Sequence, residues 1–201
     1  MGKTILILGI TGSIATGKSL VTELLRQKGA AVLSADQLAR DVVAPGTETL
    51  AALVKMFGPQ ILTRAGALDR ECLGRLVFAD AEARQKMNKL MHPAIAQLAE
   101  DRLAVLAQTG VALVVYEAPL LYEAGAEKRV DKVLVVTLDP GLQLSRLVER
   151  DHLDVGEALQ RIQAQMSQAE KKTRADYLID NSGSLHDLQI QVDRLWAKLV
   201  G

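Results

Sequence analysis

The sequence predicts an α/β fold: a five-stranded parallel sheet flanked by helices, carrying a helical insert and a helical lid. Three observations lead there. Five short runs rich in Val, Ile and Leu lack polar alternation, the pattern of parallel strands buried on both faces. Amphipathic helical stretches separate most of these runs, which makes right-handed crossovers the expected connections. Two connections exceed what a single crossover helix needs, and structureless loops of that length are uncommon.

In chain order, the expected strands are Thr4–Leu8 (TILIL), Ala30–Ser34 (AAVLS), Val111–Tyr116 (VALVVY), Lys132–Thr137 (KVLVVT) and Asp176–Asp180 (DYLID). Between the second and third, residues from about Asp36 to Gly110 show helical periodicity, broken at APGTE, FGPQ and RAGALDRE, and read as a helical insert. Between the fourth and fifth strands, two polar helices hinged near Asp151–Gly156 are expected, suited to a mobile flap. A last helix, roughly Leu185–Leu199, would pack its Leu, Ile, Val and Trp196 face on the sheet. No internal repeat or low-complexity segment is present.

With 201 residues, 49% of them hydrophobic, the chain suffices for one good core plus an inserted subdomain. Its formal net charge of zero argues against a broad nucleic-acid-binding face, which needs a basic surplus. No apolar run approaches the ~18 residues of a membrane span. The single cysteine, Cys72, has no internal partner and reads as a packed thiol; with no recognisable signal peptide, a cytoplasmic location is expected. The sequence carries no signal for a fixed oligomeric state.

The stretch GITGSIATGKSL is the most informative. Gly12, Ser13, Ile14, Ala15, Thr16, Gly17, Lys18 and Ser19 fit G-x-x-x-x-G-K-[ST], after a buried strand and before a helical run. Its glycines let the backbone curl so that successive N–H groups form an anion cradle, reinforced by the helix N-terminus. Lys18, expected to be exposed to ligand, would reach the β- and γ-phosphates, and the Ser19 hydroxyl would take one Mg²⁺ position. A nucleoside polyphosphate with Mg²⁺ is therefore expected, although such a loop alone does not separate a kinase from a GTPase. A GTPase is disfavoured: the only Asn-Lys pair, Asn88-Lys89, continues into Leu90 and Met91, without the Asp that reads guanine.

A small-molecule kinase also needs a carboxylate near the phosphates, an acceptor-binding region and cations to neutralise charge in transfer. Asp36 follows the second strand at the sheet edge where α/β ligands collect. It serves either to activate the acceptor hydroxyl or simply to cap the next helix. Glu117 closes the third strand, either holding Mg²⁺ through water or as an ordinary strand-end charge. Arg146 and Arg150, four apart, share one face of the first flap helix. They either close over the phosphates or form a solvated face pairing with Glu149 or Asp151.

These motifs together resemble the dephospho-CoA kinase family, over almost the whole length. The resemblance rests on GITGSIATGKS, SADQLARDVVAPG, GALDRECLGRLVFAD, MNKLMHPAI, APLLYEAG, VLVVTLDPGLQLSRLVERD and DYLIDNSG, in that order. It implies an ATP-binding P-loop core (1–44, 110–139 and 176–201), a CoA-binding insert (45–109) and a lid (140–175). It further implies that Asp36 is the catalytic carboxylate, with Lys18 and Arg146 as its catalytic companions, and that Arg70, His92 and Pro93 bind the acceptor, dephospho-CoA. Pro119, Leu120 and Leu121 would border the acceptor pocket. For His92 the alternative is that His-Pro sets the start of a helix. Three departures stand out: Ser34 replaces a frequent acidic residue, Glu117 a commoner Asp, and Leu20 a usual Thr or Ser. Leu20 leaves only its backbone N–H for the α-phosphate. Two rival readings are another P-loop kinase with a different acceptor, and a nucleotide-binding regulatory module without transfer.

Overall fold

The computed structural model describes residues 5–201. Thr4, the first residue of the expected opening strand, lies outside the described residues. The chain divides into two compact units: residues up to Ser34 together with Val105–Gly201, and Ala35–Ala104.

The first unit holds a five-stranded parallel sheet in the order β2-β3-β1-β4-β5: β1 Leu6–Thr11, β2 Ala31–Ser34, β3 Leu113–Glu117, β4 Lys132–Thr137 and β5 Tyr177–Asp180. β1 runs three residues beyond the expected Leu8. It is the central strand, bonded along Leu6–Ile10 to β3 and along Leu8–Thr11 to β4. That two-sided pairing carries it through Gly9 despite glycine's poor strand propensity. β3 likewise starts later than expected and takes in Glu117, the register partner of both Ile10 and Ser34.

Strand residues of one face, among them Leu8, Ile10, Val115, Leu134 and Val136, form the main core. They are covered by α1 (Lys18–Gln27) through Val21 and Leu25, and by a C-terminal helix through Leu188, Val192 and Leu195. Trp196 packs against that cluster, partly buried, as its helix periodicity suggests. The alternate strand residues Val114, Tyr116 and Val135 are buried as well, hence the missing polar alternation.

The second unit is helical and has its own core. It opens with α2 (Ala35–Asp41) and α3 (Glu48–Phe57), the latter capped by the Thr47 hydroxyl on Leu50 N–H. After a 3₁₀ turn at Pro59–Ile61 comes α4 (Arg70–Ala79), where the Asp69 carboxylate accepts from Cys72 N–H. α3, the 3₁₀ turn and α4 each start within one of the three predicted breaks. The long α5 (Ala81–Gln108) follows. Val42, Val43, Leu53, Ile61 and Leu73 are buried together here. Cys72 is half-buried on α4. His92-Pro93 does not begin a helix. α5 starts at Ala81, where the Asp80 carboxylate accepts from the N–H groups of Glu82 and Ala83, and Pro93 lies inside it.

Residues 140–175 contain three helices where two were expected: α6 (Pro140–Asp151), α7 (Val155–Gln163) and α8 (Gln168–Thr173), with α9 (Leu185–Val200) closing the chain. The hinge falls at His152–Asp154, where His152 is left-handed and Asp154 caps α7. The extra helix is one short turn-and-a-half, started by the Ser167 hydroxyl on Glu170 N–H, too brief for periodicity to reveal. Among the described residues no helix is long and apolar enough to cross a membrane.

Candidate active site

The loop Gly12–Gly17 joins β1 to α1, which opens with Lys18 and Ser19, and its backbone is fixed by contacts on its outer side. Gly12 lies so close to the Val136 carbonyl that a Cβ would overlap it. Gly17 is left-handed (φ 89°), and a Cβ there would strike the Asn181 amide. Ala15 is also left-handed (φ 62°), unusual for a residue with a side chain, and the alternation of hands is that of an anion-binding nest. Among the described residues, the N–H groups of Ala15 and Gly17 have no protein acceptor. The Lys18 ammonium donates to the carbonyls of Gly12 (2.9 Å) and Ser13 (3.0 Å), and Lys18 is only 9% exposed. Though buried against the loop, Lys18 still lines the cavity described next, in keeping with a lysine exposed to ligand.

Beside this loop lies an open cavity of about 450 Å³, lined by Ala15, Gly17, Lys18, Ser19 and Leu20, with Arg146, Glu149 and Arg150 of α6 and Asn181. The P-loop, its following helix and both predicted arginines therefore meet in one space. Arg146 makes no ion pair among the described residues. Arg150 reaches the cavity while its guanidinium donates to both Asp151 oxygens at 2.8 and 3.1 Å. That bidentate bond holds the Asp151 carboxyl below its usual range and raises Arg150 above its own. Arg150 thus makes the Asp151 pair of the solvated-face reading while lining the cavity.

At the cradle's other side, the Ser19 hydroxyl donates to the Glu117 carboxylate at 3.2 Å. The two predicted metal-site residues, 98 positions apart in the chain, are brought together because β3 ends beside β1. β2 ends in register with the same Glu117, and two residues past its end Asp36 stands exposed in the first turn of α2. It is inside the helix, and among the described residues its side chain forms no capping bond.

After β3 the chain turns through Ala118–Gly125. Here Leu120 is exposed, but Leu121 is fully buried, close against Gly9. Its expected place at a pocket border gives way to a packing role under β1. The Pro119 carbonyl accepts from the Thr11 hydroxyl (3.0 Å) and the Lys171 ammonium (2.9 Å). Lys171 is fully buried and ion-paired with Glu123 at 3.0 Å.

Within the second unit, Arg70 is the first residue of α4 and lines a cavity of about 220 Å³ with Val43, Leu68, Leu73, Val77 and Met91. His92 and Pro93 are exposed on α5.

The sequence reading missed a set of polar residues that hold the loop from outside. Asn181 Nδ2 donates to Thr16 O (2.9 Å), Gln143 Nε2 donates to Ile14 O (2.8 Å), and Gln165 Oε1 accepts from Ile14 N–H (2.8 Å). Gln168 links Gln143 to Leu138. Asn181 carries the one available hint: it directly follows a strand, where α/β sites form.

Comparison with known proteins agrees with this geometry. The dephospho-CoA kinase family profile matches residues 6–187. The chain is 50% identical over 195 residues to the dephospho-CoA kinase of Syntrophotalea carbinolica, covering 97% of this chain and 92% of that one. It is 48% identical over 192 residues to that of Geobacter sulfurreducens, with coverage of 96% and 98%. Among solved structures it superposes on the dephospho-CoA kinase from Campylobacter jejuni with a TM-score of 0.75 and 29% identity, covering 96% of each chain. A shikimate kinase from Bacteroides thetaiotaomicron, 14% identical with a TM-score of 0.54 and coverage of 98% and 99%, shares the fold alone. The chain belongs to the dephospho-CoA kinase family.

Proposed function

We propose that this protein transfers the γ-phosphoryl group of ATP to the ribose 3′-hydroxyl of dephospho-CoA, giving coenzyme A and ADP in CoA biosynthesis, in the cytoplasm. The observation that carries the reading is the Gly12–Ser19 cradle sharing one cavity with Arg146 and Arg150, in a chain of this family. In this reading the free N–H groups of Ala15 and Gly17 receive phosphate oxygens, and Lys18 exchanges its loop carbonyls for the β- and γ-phosphates. Ser13, Ile14 and Thr16 shape the loop, while the Leu20 N–H is left for the α-phosphate. Arg146 neutralises charge as the phosphoryl group moves, and Arg150 borders the same phosphates while braced by Asp151.

The Ser19 hydroxyl and Glu117 carboxylate form a pair of hard oxygen donors of the kind Mg²⁺ accepts alongside phosphate oxygens. These two residues would hold the ion, directly or through water, and when bound it would neutralise charge on ATP. Asp36 accepts or orients the proton of the attacking hydroxyl, which near pH 7 is a poor nucleophile without such help. The acceptor's other contacts fall to Arg70, whose guanidinium borders an otherwise apolar cavity, to His92 and Pro93, and to Pro119 and Leu120 after β3.

The test is an acceptor panel: ADP release with ATP and Mg²⁺ in the presence of dephospho-CoA, nucleoside monophosphates or small hydroxylated metabolites. Turnover with dephospho-CoA and background rates with the rest support the assignment. Turnover with a nucleoside monophosphate and none with dephospho-CoA refutes it.

A further inference from the structure

We propose that Gln143 of α6 is a positioning residue for the phosphate cradle, aiming the Ala15 N–H at the nucleotide from the opposite side of the loop. This rests on the loop being the phosphate site. A trans peptide is planar, with its C=O and N–H pointing in opposite directions, and no peptide among the described residues is cis. Gln143 Nε2 donates to the Ile14 carbonyl at 2.8 Å. The N–H of the same peptide belongs to Ala15, so it points away from Gln143. Ala15 lines the 450 Å³ cavity, and its N–H has no protein acceptor among the described residues.

The preceding peptide is controlled in the same manner but with its ends exchanged. Gln165 Oε1 takes the Ile14 N–H at 2.8 Å, which turns the Ser13 carbonyl inward, where Lys18 and Thr16 donate to it. Both planes flanking Ile14 are thereby set by side chains from residues 140–175.

Gln143 itself is held rigidly. It is only 3% exposed, and its Oε1 accepts from Gln168 Nε2 at 2.8 Å. Gln168 in turn bonds both the N–H and the carbonyl of Leu138, just past β4. The orientation of one cradle amide is thus referred to the end of a central strand through two carboxamides. Since Arg146 lies one helical turn beyond Gln143, α6 presents its arginine to the cavity and sets the loop through the same turn. Left unsupported, a peptide in a left-handed turn can rotate, and the amide would then be averaged away from the phosphate.

The experiment measures binding of MgADP and of AMP by calorimetry to wild type, Gln143→Met and Gln143→Glu, with thermal melts of the free proteins. Gln143→Met keeps the length and removes the donor. It is expected to weaken MgADP about ten-fold, the effect of one hydrogen bond to a charged group, while AMP, which lacks the β-phosphate, changes less than two-fold. Gln143→Glu keeps the acceptor for Gln168 and secures the test should the methionine variant not fold. At neutral pH it is expected to weaken MgADP similarly, with the ratio to wild type recovering as acid protonates the carboxyl and restores a donor. Unchanged MgADP affinity in either folded variant overturns the proposal, as does an equal loss for AMP and MgADP. Failure of wild type to bind MgADP would instead overturn the phosphate-site reading itself.

Discussion

Lys171→Met should destabilise the free protein by an amount that can be worked from the contacts of one buried ammonium. Lys171 is fully buried, with its Nζ 3.0 Å from Glu123, 2.9 Å from the Pro119 carbonyl and 3.5 Å from the Thr11 hydroxyl. Removing one partner of a fully buried ion pair costs about 3–5 kcal/mol, mostly because the other charge is stranded. Glu123 is not fully buried: its side chain keeps 24% exposure and still accepts from Met166 N–H at 3.0 Å. The Pro119 carbonyl also retains the Thr11 hydroxyl. Those residual contacts lower the expected cost to about 2–3 kcal/mol. For a chain of this size that is a fall in Tm of roughly 5–10 °C. Adding Glu123→Gln removes the stranded charge and keeps an acceptor for Met166, so the double variant should recover about half the loss. Differential scanning fluorimetry of wild type, each single variant and the double variant decides it. A Lys171→Met protein melting within about 1 °C of wild type, or a double variant no better than the single, refutes the reasoning.

Asp36→Asn keeps the side chain's size and removes its charge at an exposed position, so activity should fall by roughly 10²–10⁴ with Tm unchanged; near-normal turnover would leave Asp36 a helix residue only. Arg146→Ala should lower kcat, by up to ~10³-fold or more if its charge matters mainly during transfer, with little effect on Tm because it makes no ion pair among the described residues. Retained wild-type kcat would make it a surface charge. The Asp176 carboxyl is held below its usual range by the Lys132 ammonium first and the Val133 N–H second. A lowered folded-state value means its stabilisation is present above the ordinary aspartate range and disappears as pH falls through the lowered value. Asp176→Asn should therefore melt slightly below wild type at neutral pH, with the gap closing in acid; a gap that widens in acid contradicts the assignment.

What the sequence made legible is local. The phosphate loop is contiguous, so spacing alone identifies Gly12, Gly17, Lys18 and Ser19, and buried parallel strands declare themselves by unbroken Val, Ile and Leu. Ser19 could be nominated from its place in the phosphate-loop motif and Glu117 from closing the third strand, and their meeting follows from β3 lying next to β1. The residues that brace the loop from outside were illegible for the opposite reason. Gln143 and Gln165 lie on polar stretches and act on Ile14 from 129 and 151 positions away. Lys171, in QAEKKT, has the composition of a solvated helix, and only tertiary packing buries it. The family resemblance put Leu121 at the pocket border with Pro119 and Leu120, but the turn points it inward beneath Gly9. β1 overran its expected end because pairing on both sides outweighs the weak strand propensity of Gly9. The alternative for His92-Pro93, a helix start, fails because the chain tolerates Pro93 within α5.

The central claim, transfer to the 3′-hydroxyl of dephospho-CoA, is met most directly by locating the new phosphate in the product. Phosphorus and proton NMR of the purified product, after reaction with ATP and Mg²⁺, should place a single monoester on the ribose 3′-oxygen and identify the product as coenzyme A. A phosphate on the 2′-oxygen, or on an acceptor other than dephospho-CoA, would contradict it.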